Sequence, residues 1–335
     1  MKIGNFETDQ KVLVIAEIGN NHEGCLEEAK KLVQAAAKSG ANAVKFQTIV
    51  PEKLVSADQV ERLQQLKKYA FSYAQFSDLK LEADRAGVLF LSTPFDLESA
   101  EFLNDLVPAF KIASGDSNFH ALLHKVVITG KPVIISTGLS DFHEKLSLRN
   151  FFISNWRSSG KGIPGLALLH CVTEYPTADA RAGLRHLEAL KGFNDITVGY
   201  SDHTLGIEAA VLSVGMGARI VEKHFTLDKN KTSFRDHGLS ADPQDFREMV
   251  RRIRLAETLL APVDSKSPPG FMPAARRSAA ANRDLPEGHK IHEEDIIWLR
   301  PGSGFGPDSA GWVLSQILKR PVAKGRLFVK EDFRF

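Results

Sequence analysis

The sequence predicts a (β/α)8 barrel, the TIM-barrel fold, followed by a small, mostly β domain. Along most of the chain, short apolar runs rich in β-branched residues alternate with stretches of helical periodicity. Strands buried on both faces read as continuous apolar runs, and strand–helix alternation is typical of parallel strands joined by right-handed crossovers. About eight such units close into a barrel. An open doubly wound sheet is disfavoured, because no Gly-x-Gly-x-x-Gly string follows the first run.

The predicted strands and helices alternate in a regular order. The strand runs are VLVIAEIG, ANAVKFQT, VLFLST, AFKIAS, PVIIST, GLALLHC, ITVGYSD and RIVEKHF. The helices that follow them are predicted at residues 26–38, 75–86, 96–105, 119–128, 141–158, 182–191, 205–217 and 243–260. In the first helix, apolar residues recur at helical spacing from Leu26 to Ala37, and Gly40 is placed to end it. Its apolar stripe is expected to pack on the strands.

The periodicity stops near residue 262, which predicts a catalytic barrel domain over residues 1–262. Residues 263–279 are rich in proline and small residues and are predicted to form a linker. Residues 280–335 contain short β-like runs separated by Gly- and Pro-containing turns. A module of about 55 residues is marginal alone, so we expect it to dock against the barrel or a second subunit.

Composition narrows the classes of function. The chain has 43 basic and 41 acidic residues, a net charge of +2, which argues against nucleic-acid and membrane-surface partners. The first apolar run is interrupted by Glu17 and is far shorter than the ~20 residues of a membrane span. Cys25 and Cys171 are too few for a disulfide framework and have no CxxC spacing. We expect a cytoplasmic protein.

Two histidines end successive runs and indicate a metal site. His203 and His224 stand in VGYSDHT and RIVEKHF. Residues i and i+2 of a strand point the same way, so Ser201 accompanies His203, and Glu222 accompanies His224. A lone histidine at a strand end is usually an ordinary hydrogen-bonded residue. Two neutral imidazoles beside a carboxylate can hold a divalent cation with open positions, and their matching places predict that they do so.

Two lysines within apolar runs indicate an anion site. Lys45 and Lys111 stand in NAVKFQ and AFKIAS, where burying an unpaired ammonium costs several kcal/mol. The partner is either an internal carboxylate, from Glu17 or Glu222, or a bound anion. Nearby strand-end hydroxyls favour an anion with several acceptors, such as a phosphate with a carboxylate. Those hydroxyls belong to Ser114, Ser136, Thr173 and Ser201.

Barrel active sites lie at the carboxyl ends of the strands, where these charged groups stand. A metal, an anion clamp and two carboxylates suit activation of a carbonyl for attack by a phosphorylated carbon nucleophile.

Eight strings occur in the order typical of the sialic acid synthase family, which the chain therefore resembles over nearly its whole length. They are AEIGNNHEG, VKFQT, STPFD, KIASGD, ISTG, HCVTEYPT, YSDHTLG and EKHFT. The tail, with WLRPGSGF, resembles the family's antifreeze-like (SAF) domain. The resemblance implies condensation of phosphoenolpyruvate with an N-acetylated hexose, N-acetylmannosamine or a related 2,4-diacetamido sugar. The product is a nonulosonic, sialic-type acid, and phosphate leaves by C–O cleavage.

The resemblance also implies roles for individual residues. His203 and His224 bind the metal, manganese or another divalent cation. The residues implied to bind phosphoenolpyruvate are Lys45, Thr93, Lys111, Ser114, Ser136, Thr173 and Ser201. Those implied to bind the sugar are Gln47, Phe95, Tyr175, Asp236 and Arg300. Those implied to take part in catalysis are Glu17, Lys45, Lys111, Glu222 and Asp236.

The resemblance further implies a domain-swapped homodimer, in which Arg300 reaches the neighbouring subunit's site. Thr173 replaces the asparagine common in the sialic acid branch, and CVTEYPT is similar to branches that make legionaminic or related bacterial nonulosonic acids, so the exact sugar stays open. Two alternatives also stay open. One is another phosphoenolpyruvate-dependent barrel synthase that uses an aldose phosphate, and the other is a non-catalytic sugar-binding protein.

Overall fold

The computed structural model describes residues 1–160, 162–232, 234–262 and 272–334. The chain divides into two compact units, here called the barrel unit, Met1–Ala261, and the C-terminal unit, from Pro262 onward. Residues 263–271 of the predicted linker lie outside the described residues, and a strand begins at Ser278, within the predicted linker range. No described helix has the length and apolar character that crossing a membrane requires.

The barrel unit is built on eight parallel strands. The eight are β3 Leu13–Gly19, β4 Ala43–Thr48, β5 Leu89–Pro94, β6 Phe110–Ile112, β7 Val133–Ser136, β8 Leu166–His170, β9 Thr197–Asp202 and β10 Ile220–His224. The barrel unit also has the short strands β1 Lys2–Ile3 and β2 Phe6–Glu7, and the C-terminal unit has β11 Ser278–Ala281 and β12 Ile296–Leu299. Strands β3 to β10 form one sheet in the order β5-β4-β3-β10-β9-β8-β7-β6. Because β5 also packs beside β6, this sheet is a nearly closed barrel. The predicted (β/α)8 fold is confirmed.

The described helices are α1 Leu26–Lys38, α2 Pro51–Leu54, α3 Val60–Tyr69, α4 Tyr73–Ala86, α5 Leu97–Asn104, α6 His120–Val127, α7 Phe142–Ser159, α8 His186–Lys191, α9 Glu208–Gly215, α10 Arg235–Leu239, α11 Pro243–Leu260, α12 Met272–Ala275 and α13 Ala310–Val313. Helices α1 to α11 belong to the barrel unit, and α12 and α13 belong to the C-terminal unit. Helix α1 ends at Lys38. Gly40 has φ +92°, a left-handed conformation that agrees with its predicted role in ending this helix. Helices α2 and α3 were not predicted, because their sequence is mostly polar and buries few residues.

Alternation along the strands separates two cores. Outward residues such as Val14 and Phe46 pack against the helices. Inward residues such as Leu13, Ile15 and Ile134 fill the amino-terminal half of the barrel. The β1–β2 hairpin adds Ile3 to this inner cluster and thereby closes the floor of the barrel. The inner side chains at the opposite, carboxyl end are therefore the ones available for chemistry.

The C-terminal unit pairs β11 with β12 in an antiparallel ladder, with Ser278 opposite Leu299. Its small core includes Leu285, Ile291 and Phe328. Two buried carboxylates brace the turns: Asp295 is bound by Arg283 and His289, and Asp332 is bound by Arg320 and Arg326. A predominantly β module of this size agrees with the sequence-based prediction.

Candidate active site

The inward positions of the strands change from apolar to polar at the carboxyl end of the barrel. In β3 the series runs Leu13, Ile15, Glu17, and in β10 it runs Ile220, Glu222, His224. The parallel register places His224 beside Glu17. Because side chains two residues apart share a face, the same alternation carries Lys45, Thr93, Lys111, Ser136 and Ser201 into one space.

That space is a cavity of about 130 Å³. The predicted residues that line it are Glu17, Lys45, Gln47, Thr93, Phe95, Lys111, Ser114, Ser136, Thr173, Tyr175, Ser201, His203, Glu222, His224 and Asp236. The structure therefore brings together every site residue predicted in the barrel unit. Their roles remain predictions.

The buried lysines and carboxylates form one charge network. Lys45 Nζ lies 2.7 Å from Glu17 Oε2 and 3.7 Å from Glu222 Oε2. Lys111 Nζ lies 3.8 Å from Glu222 Oε1 and donates a hydrogen bond to Ser136 Oγ at 2.7 Å. The internal ion pairs that the sequence left open are thus present, and the same ammonium groups also face the cavity. Burial acts to lower the pKa of Lys45, but Glu17 and Glu222 outweigh it and raise this pKa, whereas burial lowers the pKa of Lys111 against the attraction of Glu222. Lys45 therefore offers an entering anion an ammonium that is already charged.

Burial and the two lysines move the pKa values of the carboxylates apart. Burial raises the pKa of Glu17, and Glu222 raises it further, against the attraction of Lys45. Burial also acts to raise the pKa of Glu222, but Lys111, Lys45 and a hydrogen bond from Ser201 outweigh it and lower this pKa to about 2. Glu222 is consequently the ionised carboxylate, and Glu17 is the better proton donor.

His203 and His224 present neutral imidazoles to the cavity. Their ring centroids are 5.5 Å apart. Nδ1 of His203 is 2.7 Å from the Val172 carbonyl oxygen, so this nitrogen is assigned the proton and Nε2 keeps its lone pair. Burial lowers the pKa of both rings, that of His224 to about 3.

These rings fit a divalent cation. Nδ1 of His224 is buried with no hydrogen-bond partner among the described residues. In histidines that bind metals, the ring nitrogen that faces away from the metal typically donates to a carbonyl or carboxylate oxygen, as Nδ1 of His203 does to Val172. Within the described part of the chain, no group of three or more His, Cys, Asp or Glu side chains is arranged to hold a metal. Two imidazoles are therefore the protein's clear contribution, and water or substrate would complete the coordination.

A second ion pair lies directly behind the histidines. Lys223 Nζ donates to Asp202 Oδ2 and to the Thr204 carbonyl oxygen. Asp202 Oδ1 accepts hydrogen bonds from the Tyr200 hydroxyl and from the backbone N–H and hydroxyl of Thr204. The residues on both sides of His203 are thus fixed, and the strand that carries His224 is tied to them.

The outer wall of the cavity is more varied in chemistry. Gln47 Nε2 donates to Glu17 Oε1 at 2.9 Å, and Gln47 accepts a hydrogen bond from Asn20 at 3.2 Å. The Tyr175 ring lies 4.1 Å from the His203 ring, and burial raises the pKa of its hydroxyl. Asp236 is buried beside them. Amide, hydroxyl and carboxylate groups of this kind suit the hydroxyl groups of a sugar.

Comparison with known protein families identifies the family of this chain. Residues 32–264 match the NeuB family, and residues 276–334 match the SAF domain. The chain belongs to the NeuB family. The predicted resemblance and the predicted antifreeze-like tail are confirmed.

Three relatives of this NeuB-family chain show how far the similarity extends. It is 42% identical over 327 residues to an uncharacterised protein of Methanocaldococcus jannaschii, covering 96% of this chain and 95% of the relative. It is 37% identical to the N,N'-diacetyllegionaminic acid synthase of Legionella pneumophila, covering 95% and 93%. The crystal structure of the N-acetylneuraminic acid synthetase of Leptospira borgpetersenii is similar with a TM-score of 0.75 and 31% identity, covering 81% of this chain and 93% of that one.

Sequence reasoning missed several cavity residues of the NeuB-family chain. Cys171 lies in the wall, with its thiol pKa raised by burial, and the inward alternation from Leu169 could have identified it. Arg62 comes from the unpredicted helix α3, and Phe234 comes from the segment after β10. No periodic signal in the sequence marks either residue. Asn20 lies within the AEIGNNHEG string but was not singled out.

Arg300 lies in the C-terminal unit of the NeuB-family chain. Its side chain is exposed, and the Arg300–Pro301 peptide bond is cis. The residues that line the cavity come from the barrel unit. Binding of the sugar by Arg300 remains a prediction.

Proposed function

We propose that the protein is a synthase that condenses phosphoenolpyruvate with an N-acetylated hexose to form a nonulosonic acid and phosphate. One observation carries the proposal: two buried ammonium groups and two neutral imidazoles face the same cavity across the Glu222 carboxylate. This arrangement suits an anionic nucleophile at one side and a polarised carbonyl at the other. Membership of the NeuB family and the named synthases among its relatives support the proposal.

Phosphoenolpyruvate occupies the lysine side of the cavity. Lys45 and Lys111 neutralise its phosphate and carboxylate, and Ser136 is already within hydrogen-bond reach of Lys111. The other groups proposed to bind it are the side chains of Thr93, Ser114, Thr173 and Ser201. Holding both anionic groups of the substrate presents its C3 carbon to the acceptor in a fixed orientation.

The open-chain sugar occupies the histidine side. His203 and His224 would hold Mn²⁺ or another divalent cation, which when bound polarises the aldehyde oxygen of the acceptor. The residues proposed to orient the sugar are Gln47, Phe95, Tyr175 and Asp236. They place the aldehyde carbon opposite C3 of phosphoenolpyruvate.

Glu17 and Glu222 transfer protons in different steps of the reaction. Attack of C3 forms the new C–C bond and leaves an oxocarbenium at C2, while the aldehyde oxygen takes a proton from Glu17. The ionised Glu222 stabilises the positive C2 centre and accepts a proton from the water that adds there. The tetrahedral intermediate then collapses, the C2–O bond breaks, and phosphate leaves. Glu17 and Glu222 are thus both required, Glu17 as the carboxyl group whose pKa is raised by burial and Glu222 as the one whose pKa is lowered by the lysines.

We also propose a domain-swapped homodimer in the cytoplasm, in which Arg300 completes the sugar site of the partner. The family resemblance supports this arrangement, together with the marginal size of the C-terminal unit. Sedimentation of the full chain and phosphate release from mixtures of R300A and H203A subunits test it, because complementation between the two variants requires a shared site.

The experiment for the main proposal uses phosphoenolpyruvate labelled with ¹⁸O in the C2–O–P bridge. With Mn²⁺ and N-acetylmannosamine or a 2,4-diacetamido hexose, we expect phosphate release only when both substrates are present. The label should appear in the phosphate, and mass spectrometry should show the nine-carbon product. Phosphate release that does not depend on sugar, or label retained in the organic product, contradicts the proposal.

A further inference from the structure

Asp236 reaches the active-site cavity from α10, a helix of five residues that follows β10. Its side chain is buried. Burial lowers the pKa of the His224 ring, and the Asp236 carboxylate is the strongest of the groups that oppose this shift, so its charge acts on the histidine side of the cavity. A helix of little more than one turn has almost no stability of its own. The direction of Asp236 therefore depends on the contacts that hold α10 from outside.

The end of β10 holds one side of α10. The Ala241 N–H donates to the His224 carbonyl oxygen at 2.8 Å, and the Thr226 N–H donates to the Ala241 carbonyl oxygen at 3.1 Å. The Thr226 hydroxyl lies 2.7 Å from Nδ1 of His237, a residue of α10 with no exposed surface. These contacts tie the carboxyl end of α10 to the strand that carries His224.

The loop between β3 and α1, residues 20–25, holds α10 from a second direction. Asn21 Nδ2 donates to Ser240 Oγ at 3.0 Å and to the Phe225 carbonyl oxygen at 2.9 Å. The Ser240 hydroxyl in turn donates to the Asp236 carbonyl oxygen at 2.6 Å. The backbone of Asp236 is thus linked through one hydroxyl to the start of this loop.

Glu23, from the same loop, contacts α10 directly. Glu23 Oε1 lies 3.1 Å from Nε2 of His237 and accepts a hydrogen bond from the Thr232 hydroxyl at 3.1 Å. Because Nε2 faces a carboxylate, this nitrogen is assigned the proton. Removal of the carboxylate would leave a buried donor without an acceptor, and such a donor is costly. The ring of His237 could then reach water only if α10 moved.

The backbone of Glu23 is held in an unfavourable conformation. Its φ is +48°, the left-handed region that is uncommon for a residue other than glycine. Both neighbours are anchored: the His22 ring stacks on Phe71 at 4.1 Å, and a Cβ on Gly24 would lie 2.1 Å from the Lys68 carbonyl oxygen. Glycine would fit position 23 without strain, so the carboxylate accounts for the presence of another residue there.

We propose that Glu23 and His237 are positioning residues, whose contact holds α10 so that the Asp236 carboxylate stays directed into the cavity. The described residues that line the cavity do not include Glu23 or His237. Both residues consequently act through Asp236 and do not touch the substrates. This inference rests on the proposed synthase function, in which Asp236 orients the sugar.

Glu23→Gly separates positioning from folding. Glycine removes the carboxylate but relieves the left-handed backbone, so the Tm of the full chain should stay within about 3 °C of the wild type. With Mn²⁺, phosphoenolpyruvate and N-acetylmannosamine or a 2,4-diacetamido hexose, KM for the sugar should rise about tenfold or more, because small misplacements at a site are costly. KM for phosphoenolpyruvate should change by less than about twofold. Glu23→Gln, whose amide oxygen still accepts the hydrogen bond, should restore most of the activity.

A double-variant cycle shows whether Glu23 acts through Asp236. In the Asp236→Asn background, Glu23→Gly should lower kcat/KM by less than about a further twofold, because the group that it positions has already lost its charge. His237→Asn breaks the same contact from the other side, since the shorter side chain reaches toward Thr226 but not toward Glu23. It should reproduce the effect of Glu23→Gly, and it decides by the same criteria if Glu23→Gly does not fold.

Lys231→Ala is the matched control. It removes an ion pair of 2.7 Å between the segment that precedes α10 and Glu28 on α1, and it should leave both KM values unchanged. An unchanged sugar KM in Glu23→Gly, equal losses for both substrates, or full additivity with Asp236→Asn overturns the inference and leaves the synthase function in place. Absence of phosphate release by the wild type with each of these sugars overturns the proposed function, and this inference with it.

Discussion

Lys223 Nζ lies 2.9 Å from Asp202 Oδ2, and neither side chain has any exposed surface. Each residue immediately precedes one of the two histidines, His203 and His224. A buried ion pair gains little net stability over an apolar pair of the same volume, because both charges must be desolvated. The network around this pair is better explained by the position it gives to the two imidazoles.

Asp202→Asn should destabilise the protein by about 3–5 kcal/mol, because it leaves the Lys223 ammonium buried without its partner. The double variant Asp202→Asn with Lys223→Met should regain most of this stability in urea unfolding. It should still bind Mn²⁺ about 10- to 100-fold more weakly by calorimetric titration. The partly exposed pair Arg149–Asp195 is the control, and its neutralisation should leave Mn²⁺ affinity unchanged. Unaltered Mn²⁺ affinity in the double variant would show that the buried pair has no positioning role.

His203→Ala and His224→Ala should each lower Mn²⁺ affinity by more than about 100-fold, since loss of an outer partner alone costs up to that factor. Electron paramagnetic resonance of free Mn²⁺ measures this directly, without reference to activity. Removal of metal with a chelator should likewise stop phosphate release, and added Mn²⁺ should restore it. His186→Ala, an exposed histidine outside the cavity, should retain wild-type binding. Equal binding by all variants would place the metal elsewhere.

Gly138→Ala should raise KM for phosphoenolpyruvate by about 10- to 100-fold. A Cβ at this position would lie 2.7 Å from both Cys171 Sγ and Thr173 Oγ1. The cavity wall that contains these two residues therefore has to shift. Gly115→Ala is the matched control, because nothing lies within 4 Å of its added Cβ. Steady-state kinetics with both substrates should show the change for Gly138 alone. An unchanged KM in G138A would remove Thr173 from the substrate site.

Asp295 should make the stability of the C-terminal unit depend on pH. Burial acts to raise the pKa of Asp295, but hydrogen bonds from His289, the His292 backbone and Arg283 lower it to about 2. An unfolded aspartate titrates near about 3.9. The carboxylate therefore contributes stability, on the order of 2 kcal/mol, at pH values above about 4, and this contribution is lost as the pH falls toward 2.

Thermal unfolding of the full chain at pH 5 and pH 3 measures the effect of Asp295. Asp295→Asn should be less stable than the wild type at pH 5 and should lose less stability on acidification. Glu293→Gln, an exposed neighbour, should behave like the wild type. A wild-type-like pH profile for D295N would contradict the assignment.

Strand positions were predictable from the sequence because their period is short and their burial is complete. The inward alternation that ends in Glu17, Lys45, Lys111 and Glu222 is visible in the apolar runs themselves, since a charged residue inside such a run needs a buried partner. Once the barrel closes, these positions necessarily converge at one end. The core of the site was therefore predictable together with the fold.

The outer rim of the site was not predictable in the same way. Arg62 lies on a helix whose surface is mostly polar, and Phe234 lies in a segment without periodicity, so neither has a pattern that fixes its direction. The partners of the buried lysines could not be predicted either. The sequence left open whether Lys45 and Lys111 meet carboxylates or a ligand, and only the distances show that Lys45 lies nearer to Glu17 than to Glu222.

The β1–β2 hairpin, which inserts Ile3 into the floor of the barrel, has a consequence for the kinetics. With the floor closed, substrates reach the cavity from the carboxyl end, where Lys111 and Ser136 are buried and Arg62 is exposed. The molecule that occupies the lysine side has to enter first, because an acceptor at the rim would obstruct its path. We therefore expect the proposed turnover to be sequential with a compulsory order, in which the nine-carbon acid leaves before a new cycle can begin.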